Sequence, residues 1–288
     1  YKECCMKKVM AILSMLIFVL VLNSCVVETK SETDALLIPK MVFVKGGIIE
    51  GKDYPWAPPV GNFPKGRRVQ LSDFAIGKYE VTQEEYYSVM KDEVVSVTAY
   101  VDGVGERTAE FFMDSRPSFC KPNNPPYHCF EGENQERRPV EGITFYDALW
   151  YCNVLSRKTG LEPVYKIKVL EVTSVNFSSH ITSAEVEMIP GANGYRLPTL
   201  CEAEYAMRGG DPNEPDWDYP FSGAYSESSK KYDSINKDLD LVGWYRYNNK
   251  TGVSGTSDSD QENNTYYKYK GTHEVGLKKP NRLGLYDM

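Results

Sequence analysis

The sequence lacks the short motifs that mark several large enzyme classes. It has no glycine-rich phosphate loop, no Gly-x-Ser-x-Gly nucleophile elbow and no His-Glu-x-x-His segment. Its three histidines, His128, His180 and His273, are scattered rather than spaced as zinc ligands. The residues therefore give no support for a nucleotide hydrolase of the P-loop type, an α/β-hydrolase or a zinc peptidase, and no cofactor is evident from them.

Positive charge is also scarce. The chain has 33 Lys and Arg against 40 Asp and Glu, and its formal net charge is −7. Proteins that bind nucleic acids present a basic surface to the phosphates. We therefore expect no nucleic-acid partner, and the acidic balance also argues against a cationic helix lying on a membrane.

Long hydrophobic runs are limited to residues 9–22, near the beginning of the sequence. This run follows Lys7 and Lys8, is too short to favour a spanning helix, and ends in Leu-Asn-Ser-Cys25, which resembles a bacterial lipobox. The pattern predicts translation from Met6, a lipoprotein signal peptide within residues 1–24, a lipid on Cys25 and a polar tether over residues 25–40. We therefore expect an exported protein of the bacterial cell envelope that contacts the membrane through its lipid. A plain secretory signal or an interfacial helix is the alternative.

Cysteine is infrequent in the part that would be exported. Besides Cys25, that part contains Cys120, Cys129, Cys152 and Cys201, which allow three pairings in an oxidising compartment. Cys120 and Cys129 bracket the turn-rich segment KPNNPPYH, so we hypothesise a local disulfide between them. Cys152 falls on the apolar face of a predicted helix, where we expect it to be buried.

Three helix starts share one local pattern, a threonine followed three residues later by a carboxylate. In such a capping box both side chains satisfy backbone N–H groups that open the helix. The three pairs are Thr82 with Glu85, Thr144 with Asp147, and Thr199 with Glu202.

Short extended runs alternate with these helices. They include residues 42–44, 68–71, 94–101 and 166–175, and Gly, Pro and Asn clusters separate them. Residues 91–112 contain an alternating run and a turn, which predict a hairpin. Residues 222–240 and 248–265 are rich in Ser, Asp and Asn and are predicted to be exposed loops. The pattern predicts one α+β domain with much irregular loop.

Residues 196–210, RLPTLCEAEYAMRGG, carry the most specific signal. Ala203, Ala206 and Met207 fall on one face of the predicted helix, which would end in a cationic last turn and a glycine. The motif positions are Arg196, Leu197, Pro198, Thr199, Glu202, Glu204, Arg208, Gly209 and Gly210.

This segment resembles the signature of the formylglycine-generating-enzyme family, also called sulfatase-modifying factor domains. Five further blocks match in the same order: MVFVKGG (41–47), IGKYEVTQEEYYSVM (76–90), RPVEGITFYDALWYCNVLS (138–156), YPFSG (219–223) and VGLKKPNRLGLYDM (275–288). The resemblance implies a variant of the C-type-lectin fold over residues 41–288. That family continues beyond the last block, so we expect a domain that is incomplete at its C-terminal end. One departure is Ala203, which stands where the family usually has a large aromatic residue and predicts looser packing.

The resemblance also implies a choice between two functions. The family's founding activity oxidises a sulfatase cysteine to formylglycine with oxygen and copper, but its thiolate pair lies beyond the block at which this sequence stops. We therefore assign no catalytic residue, and copper would be a cofactor only if such a pair follows. Calcium is a candidate cofactor of some members, and Asp287 could match one ligand, although Ca²⁺ needs six or more oxygens. Some proteins with this fold vary the residues after such a block to vary their ligands, so the favoured interpretation is a binding or display scaffold for a protein or glycan.

Overall fold

The computed structural model describes residues 35–53, 61–119, 132–175, 178–219, 221–223, 236–245, 248 and 271–288. One compact unit spans Leu36–Met288. The predicted lipid site at Cys25 and the hypothesised disulfide between Cys120 and Cys129 lie outside the described residues.

The strands pair two by two, and each pair is antiparallel. The eight strands are β1 (Met41–Val44), β2 (Ile48–Glu50), β3 (Arg68–Gln70), β4 (Phe74–Gly77), β5 (Val94–Val101), β6 (Gly105–Phe112), β7 (Tyr165–Val175) and β8 (Ser178–Met188). Strand β1 pairs with β4, β2 with β3, β5 with β6, and β7 with β8. The β5–β6 hairpin lies within residues 91–112, where the alternating run and the turn predicted it.

The helices are short. They are α1 (Gln83–Met90), α2 (Phe145–Lys158), α3 (Leu200–Met207) and α4 (Lys237–Val242), with 3₁₀ turns at Gln135–Arg137 and Pro215–Asp218. A few short helices, short antiparallel strands and long irregular connections confirm the predicted α+β class. Among the described residues, no helix combines the length and apolarity needed to cross a bilayer.

Each of the first three helices begins with a capping box. Thr82, Thr144 and Thr199 each accept a hydrogen bond from the N–H of the third helical residue, whose carboxylate accepts one from the threonine N–H. These bonds satisfy N–H groups that the first helical turn leaves without a partner inside the helix.

Helix α2 carries the main hydrophobic core. Its buried side chains include Leu149, Cys152 and Leu155, and they pack with α1 and the two long hairpins. Tyr86 of α1 stacks on Tyr151 of α2 with ring centroids 5.3 Å apart. The 3.6-residue spacing of apolar positions on α2 explains why one face of this helix is buried.

The β7–β8 hairpin contains two register shifts. Val169 lies opposite Ala184 and Val172 opposite Ile181, so Leu170 on β7 and Thr182 on β8 are each an extra residue in the ladder. Such bulges re-aim the side chains that follow them. Ile181 is consequently buried in the main core.

A smaller core lies beneath helix α3. It consists of Val44, Ile49, Phe63, Tyr205 and Trp217. The Trp217 ring centroid lies 5.5 Å from that of Phe63 and 5.7 Å from that of Tyr205.

The buried face of α3 differs from the prediction. Glu202, Tyr205 and Ala206 are buried, whereas Met207 is 40% exposed. The apolar spacing of Ala203, Ala206 and Met207 was misleading because the larger Tyr205 ring and the paired Glu202 take the inward positions.

Two segment boundaries also differ from the sequence-based expectation. Residues 237–240 belong to helix α4, although polar composition predicted a loop; Asn236 caps this helix through bonds to the N–H groups of Asp238 and Leu239. Near the beginning of the compact unit, the Leu37 N–H donates to Ser88 and the Lys40 carbonyl accepts from Lys78. These tether residues therefore contact the domain.

Thr144→Ala is expected to destabilise the protein more than Thr82→Ala. Both variants lose a cap worth about 1 kcal/mol, but the Thr144 hydroxyl also donates to the Ile181 carbonyl at 2.7 Å. We expect unfolding free energies lower by about 2 kcal/mol for Thr144→Ala and about 1 kcal/mol for Thr82→Ala. Urea unfolding of both variants tests this, and equal losses would show that the bond to strand β8 contributes nothing.

Candidate functional site

Arg196 and Glu202 of the signature form a bidentate ion pair. The distances are 2.8 Å from Arg196 Nη1 to Glu202 Oε2 and 2.6 Å from Nη2 to Oε1, and Glu202 Oε2 also accepts from the Thr199 N–H at 2.8 Å. The Arg196 hydrogen bond, followed by the bonds from Thr199, lowers the pKa of Glu202 to about 2. The Arg196–Glu202 pair has a structural role, because its hydrogen bonds hold the start of helix α3 in place.

The rest of the signature joins α3 to its neighbours. Glu204 accepts from the Asn62 side chain at 2.9 Å and from Arg208 Nε at 2.9 Å, and Arg208 Nη1 donates to the Trp217 carbonyl at 2.9 Å. The Leu197 N–H, which precedes Pro198, donates to the Tyr165 hydroxyl at 3.0 Å.

The glycines at the end of the signature permit an unusual backbone. Gly209 and Gly210 have φ angles of 84° and 72°, a region that residues with a Cβ rarely adopt. They turn the chain out of α3 and allow Arg282 to donate to the Gly209 carbonyl at 3.2 Å.

The segment at residues 271–288 has no helix or strand, yet many bonds hold it in place. Glu133 accepts two of them, from His273 Nδ1 at 2.7 Å and from the Glu274 N–H at 3.0 Å, and it also accepts from Arg138 Nη2 at 3.1 Å. The Arg138 side chain is fully buried, and that of Glu133 is 15% exposed. A mostly buried carboxylate with several donors is an anchor that a single substitution would remove.

Glu274 makes a second anchor beside the first. Its side chain accepts from Arg137 Nε at 3.1 Å and from the Asn134 N–H at 3.0 Å. The next residue, Val275, donates its N–H to the Arg137 carbonyl at 3.1 Å. The turn at residues 133–138 therefore acts as a base on which the segment rests.

Trp244 is held between two side chains of this segment. The His273 ring stacks on it at 3.6 Å between centroids, and Lys278 Nζ lies 3.7 Å from its ring centroid. Burial lowers the pKa of Lys278, whose ammonium also donates to the Asp240 carbonyl at 2.7 Å. Because both neighbours are in place, Trp244 fixes the segment and is not an open stacking platform.

Asn281 ties the segment to the signature helix. Its side-chain amide donates to the Ala206 carbonyl at 2.9 Å, and its oxygen accepts from the N–H groups of Leu283 and Leu285 at 3.0 and 3.2 Å. The amide thus closes a local turn and caps an α3 carbonyl at once.

Asp287 and Glu80 form the most perturbed pair of acids in this region. Asp287 has φ of 55°, accepts from the Gly276 N–H at 3.1 Å, and has a second buried oxygen with no partner among the described residues. Burial raises the pKa of Asp287. Glu80 keeps a solvent-exposed face, but the protein atoms around it, and then the Asp287 charge, raise the pKa of Glu80 to about 7. Perturbed acids that lie together are typical of functional sites and also of structural networks.

The described residues do not assemble a metal site. Within the part of the chain that the structure covers, no group of three or more His, Cys, Asp or Glu side chains could hold a metal ion. Asp287 with Glu80 supplies too few oxygens for Ca²⁺. Cys152 and Cys201 are free cysteines, and burial raises the pKa of Cys152 to about 12, which disfavours the thiolate that monovalent copper binds.

Sequence reasoning missed most of the anchoring residues. Glu133, Trp244 and Asn281 belong to no short motif, and the partners that link them to other parts of the chain lie 29 to 141 residues away. Only the block at residues 275–288 marked this region, and it did so through family resemblance rather than through spacing.

Comparison with known proteins identifies the family. Residues 27–288 match the model of the family described as "Sulfatase-modifying factor enzyme 1-like domain". This chain belongs to that family. The match starts before Met41, where the sequence analysis placed the domain boundary, and it confirms the resemblance.

A similar protein is "Chaperone protein LppX" of Paenibacillus barcinonensis. It is 32% identical over 252 residues, which cover 86% of this chain and 67% of that protein. A solved structure, "Treponema denticola variable protein 1", is 24% identical, with a TM-score of 0.47 over 86% of this chain and 73% of that one. The crystal structure of CarF is 22% identical, with a TM-score of 0.49 over 87% and 76% of the two chains.

Glu80→Gln is expected to stabilise the protein at pH 8 but not at pH 4. The pKa of Glu80 is about 7 in the folded state, whereas an unperturbed glutamate has a pKa of 4.5. Folding therefore loses free energy as the pH rises between these values, and glutamine avoids that loss. Melting temperatures at both pH values measure the effect.

Glu50→Gln is the matched control, because Glu50 pairs with Arg68 in an exposed surface ion pair. It should change the melting temperature little at either pH. A lower melting temperature for Glu80→Gln at pH 8 would show that ionised Glu80 makes a favourable contact.

Proposed function

We propose that this protein is a lipid-anchored protein of the bacterial cell envelope whose sulfatase-modifying-factor domain binds another protein. In this proposal the domain is a scaffold that holds loops in fixed positions, and its ligand is an exported polypeptide. A glycan ligand and copper-dependent formylglycine formation are the competing outcomes.

The observation that carries the proposal is the way residues 271–288 are held. Glu133, Glu274 and Asn281 anchor a segment without regular secondary structure to two separate parts of the domain. Loops fixed on a rigid base are a common means of presenting ligand contacts, and their preorganisation lowers the entropic cost of binding. Such an arrangement suits recognition and needs no reacting group.

A protein ligand is favoured over a glycan by one relative. The printed name of the Paenibacillus barcinonensis protein describes a chaperone, and the two chains are 32% identical. A chaperone acts on polypeptides, so the same class of ligand is the natural proposal for this chain.

Family membership supports the oxidase alternative, because the founding activity belongs to this family. The described cysteines do not favour it. Cys152 is buried with a raised pKa, and Cys201 lies at the first turn of α3 beside Arg67 Nη2, at 3.8 Å. An oxidase would therefore need a thiolate pair outside the described residues.

The lipid anchor is tested by metabolic labelling in a bacterial host. Cells that express the full chain are grown with an alkyne analogue of palmitate, and the protein is isolated and coupled to a dye. We expect the wild type and Cys201→Ser to be labelled and Cys25→Ser to be unlabelled. Label that persists in Cys25→Ser, or no label in any of them, would refute the anchor without bearing on ligand binding.

Binding of polypeptides is tested by light scattering during dilution of denatured citrate synthase. We expect the full chain to suppress aggregation at about equimolar concentration. Glu133→Gln, which removes the carboxylate that holds His273 and Arg138, should lose most of this suppression. Glu110→Gln, on the exposed face of β6, should retain it.

The competing functions give different results in parallel assays. A glycan ligand would be favoured if neither the wild type nor Glu110→Gln suppressed aggregation and both proteins were retained on purified cell-wall glycan. Copper-dependent conversion of the cysteine in a sulfatase-derived peptide would establish the oxidase. Circular dichroism of Glu133→Gln distinguishes loss of the segment from loss of the fold.

A further inference from the structure

His180 lies where three parts of the domain meet. On one side its Nδ1 is 2.7 Å from Asp147 Oδ2 at the start of helix α2. On the other its Nε2 is 3.7 Å from Asp114 Oδ2, in the segment that follows strand β6. The histidine itself belongs to strand β8. One ring therefore connects helix α2, the β5–β6 hairpin and the β7–β8 hairpin.

The Asp147 side of this arrangement is fixed by other bonds. Asp147 is fully buried, and its oxygens also accept from the N–H groups of Thr144 at 3.0 Å and Ile181 at 2.8 Å. The Thr144 hydroxyl donates in turn to the Ile181 carbonyl. Strand β8 would stay on the helix start even without the His180 ring.

The Asp114 side has less support. The Asp114 N–H donates to the Ser179 carbonyl at 2.9 Å, and Met113 makes an isolated bridge with Ser179. The carboxylate of Asp114 also accepts from the Arg116 N–H at 2.9 Å, within the same segment. The contact between the Asp114 side chain and strand β8 is therefore made through the His180 ring.

Among the residues that the structure describes, few other groups lie around the ring. Asp147 and Asp114 are the charged groups that act on His180, and both raise its pKa, with the Asp147 hydrogen bond as the largest cause. Tyr86 of helix α1 lies near both carboxylates, whose charges contribute to raising its pKa. On the neighbouring strand, Thr173 lies opposite His180 and carries no charge.

We propose that His180 is a pH-dependent latch that fastens the β5–β6 hairpin to the rest of the domain. The protonated ring donates from Nδ1 to Asp147 and presents a positive Nε2–H to Asp114. When the ring loses its proton, it keeps Nδ1–H for the Asp147 bond and turns an Nε2 lone pair toward the Asp114 carboxylate. Attraction on the Asp114 side becomes repulsion, while the Asp147 side keeps its hydrogen bond.

The direction of the pH effect follows from the raised pKa. A histidine that binds its proton more tightly in the folded state stabilises the fold fully below its unfolded pKa, near 6.5. That contribution is lost as the pH rises through the higher folded value. The contact with Asp114 is therefore favourable in acid and is lost at alkaline pH, where Val95 and Met113 in the main core and the bond from the Asp114 N–H to Ser179 still hold the base of the hairpin, and its residues 98–100 and 106–110 are exposed.

Hydrogen exchange of the full chain, followed by mass spectrometry from pH 5.5 to 9 and corrected for intrinsic rates, tests the latch. We expect peptides covering residues 105–114 to exchange roughly two- to five-fold faster above the folded pKa, while peptides of α2 do not change. Asp114→Asn should abolish this step, because an asparagine amide can donate to the neutral ring. Asp102→Asn, in the turn of the same hairpin, should retain it.

A second readout is the titration of the His180 ring itself. The chain has three histidines, so the ring signal of His180 can be assigned in NMR spectra through His180→Gln. We expect the His180 pKa to fall in Asp114→Asn and to remain unchanged in Asp102→Asn. The proposal would be overturned if Asp114→Asn showed the same pH-dependent increase in hydrogen exchange as the wild type. It would also be overturned if the His180 pKa were the same in the two proteins.

Discussion

The packing of this domain depends on carboxylates in the first turns of its helices. Asp147 illustrates the constraint most clearly, because one fully buried side chain caps helix α2, binds the backbone of strand β8 and holds the His180 ring. A buried charge is costly unless each of its oxygens is satisfied. The capping box supplies that satisfaction locally, and the strand and ring supply the rest. In this way a local helix signal becomes the point at which distant segments are joined.

The same device recurs at helix α3 with a different outcome. Glu202 caps the helix and is paired with Arg196, while Glu204 and Arg208 extend outward to Asn62 and Trp217. The signature segment at residues 196–210 thus has a structural role. It connects the smaller core to residues 271–288, because the Asn281 side-chain amide donates a hydrogen bond to the Ala206 carbonyl.

The elements governed by local interactions could be predicted from the sequence. Thr144 with Asp147 gave the start of α2, and the alternating run at residues 94–101 gave a strand, because capping and side-chain periodicity act over a few residues. The face of α3 could not be predicted, since the inward position of Tyr205 depends on Trp217 and Phe63. Nor could the fixed segment at residues 271–288, whose bonds to Glu133 and Arg137 join residues more than a hundred positions apart. Family resemblance located this segment but said nothing of how it is held.

The paired bulges in the β7–β8 hairpin have a consequence of their own. Leu170 on one strand and Thr182 on the other each shift the alternation of side chains by one position, so the core receives Val169 and Ala184 before the shifts and Val172 and Ile181 after them. The two extra residues offset each other, so the strands pair in the same register before and after the bulges. Deletion of both residues would leave an even ladder in which Val172 and Ile181 still face the core, whereas deletion of one would leave a single bulge that bends its strand and adds local twist. Natural variation in hairpin length should therefore arise in matched steps on both strands.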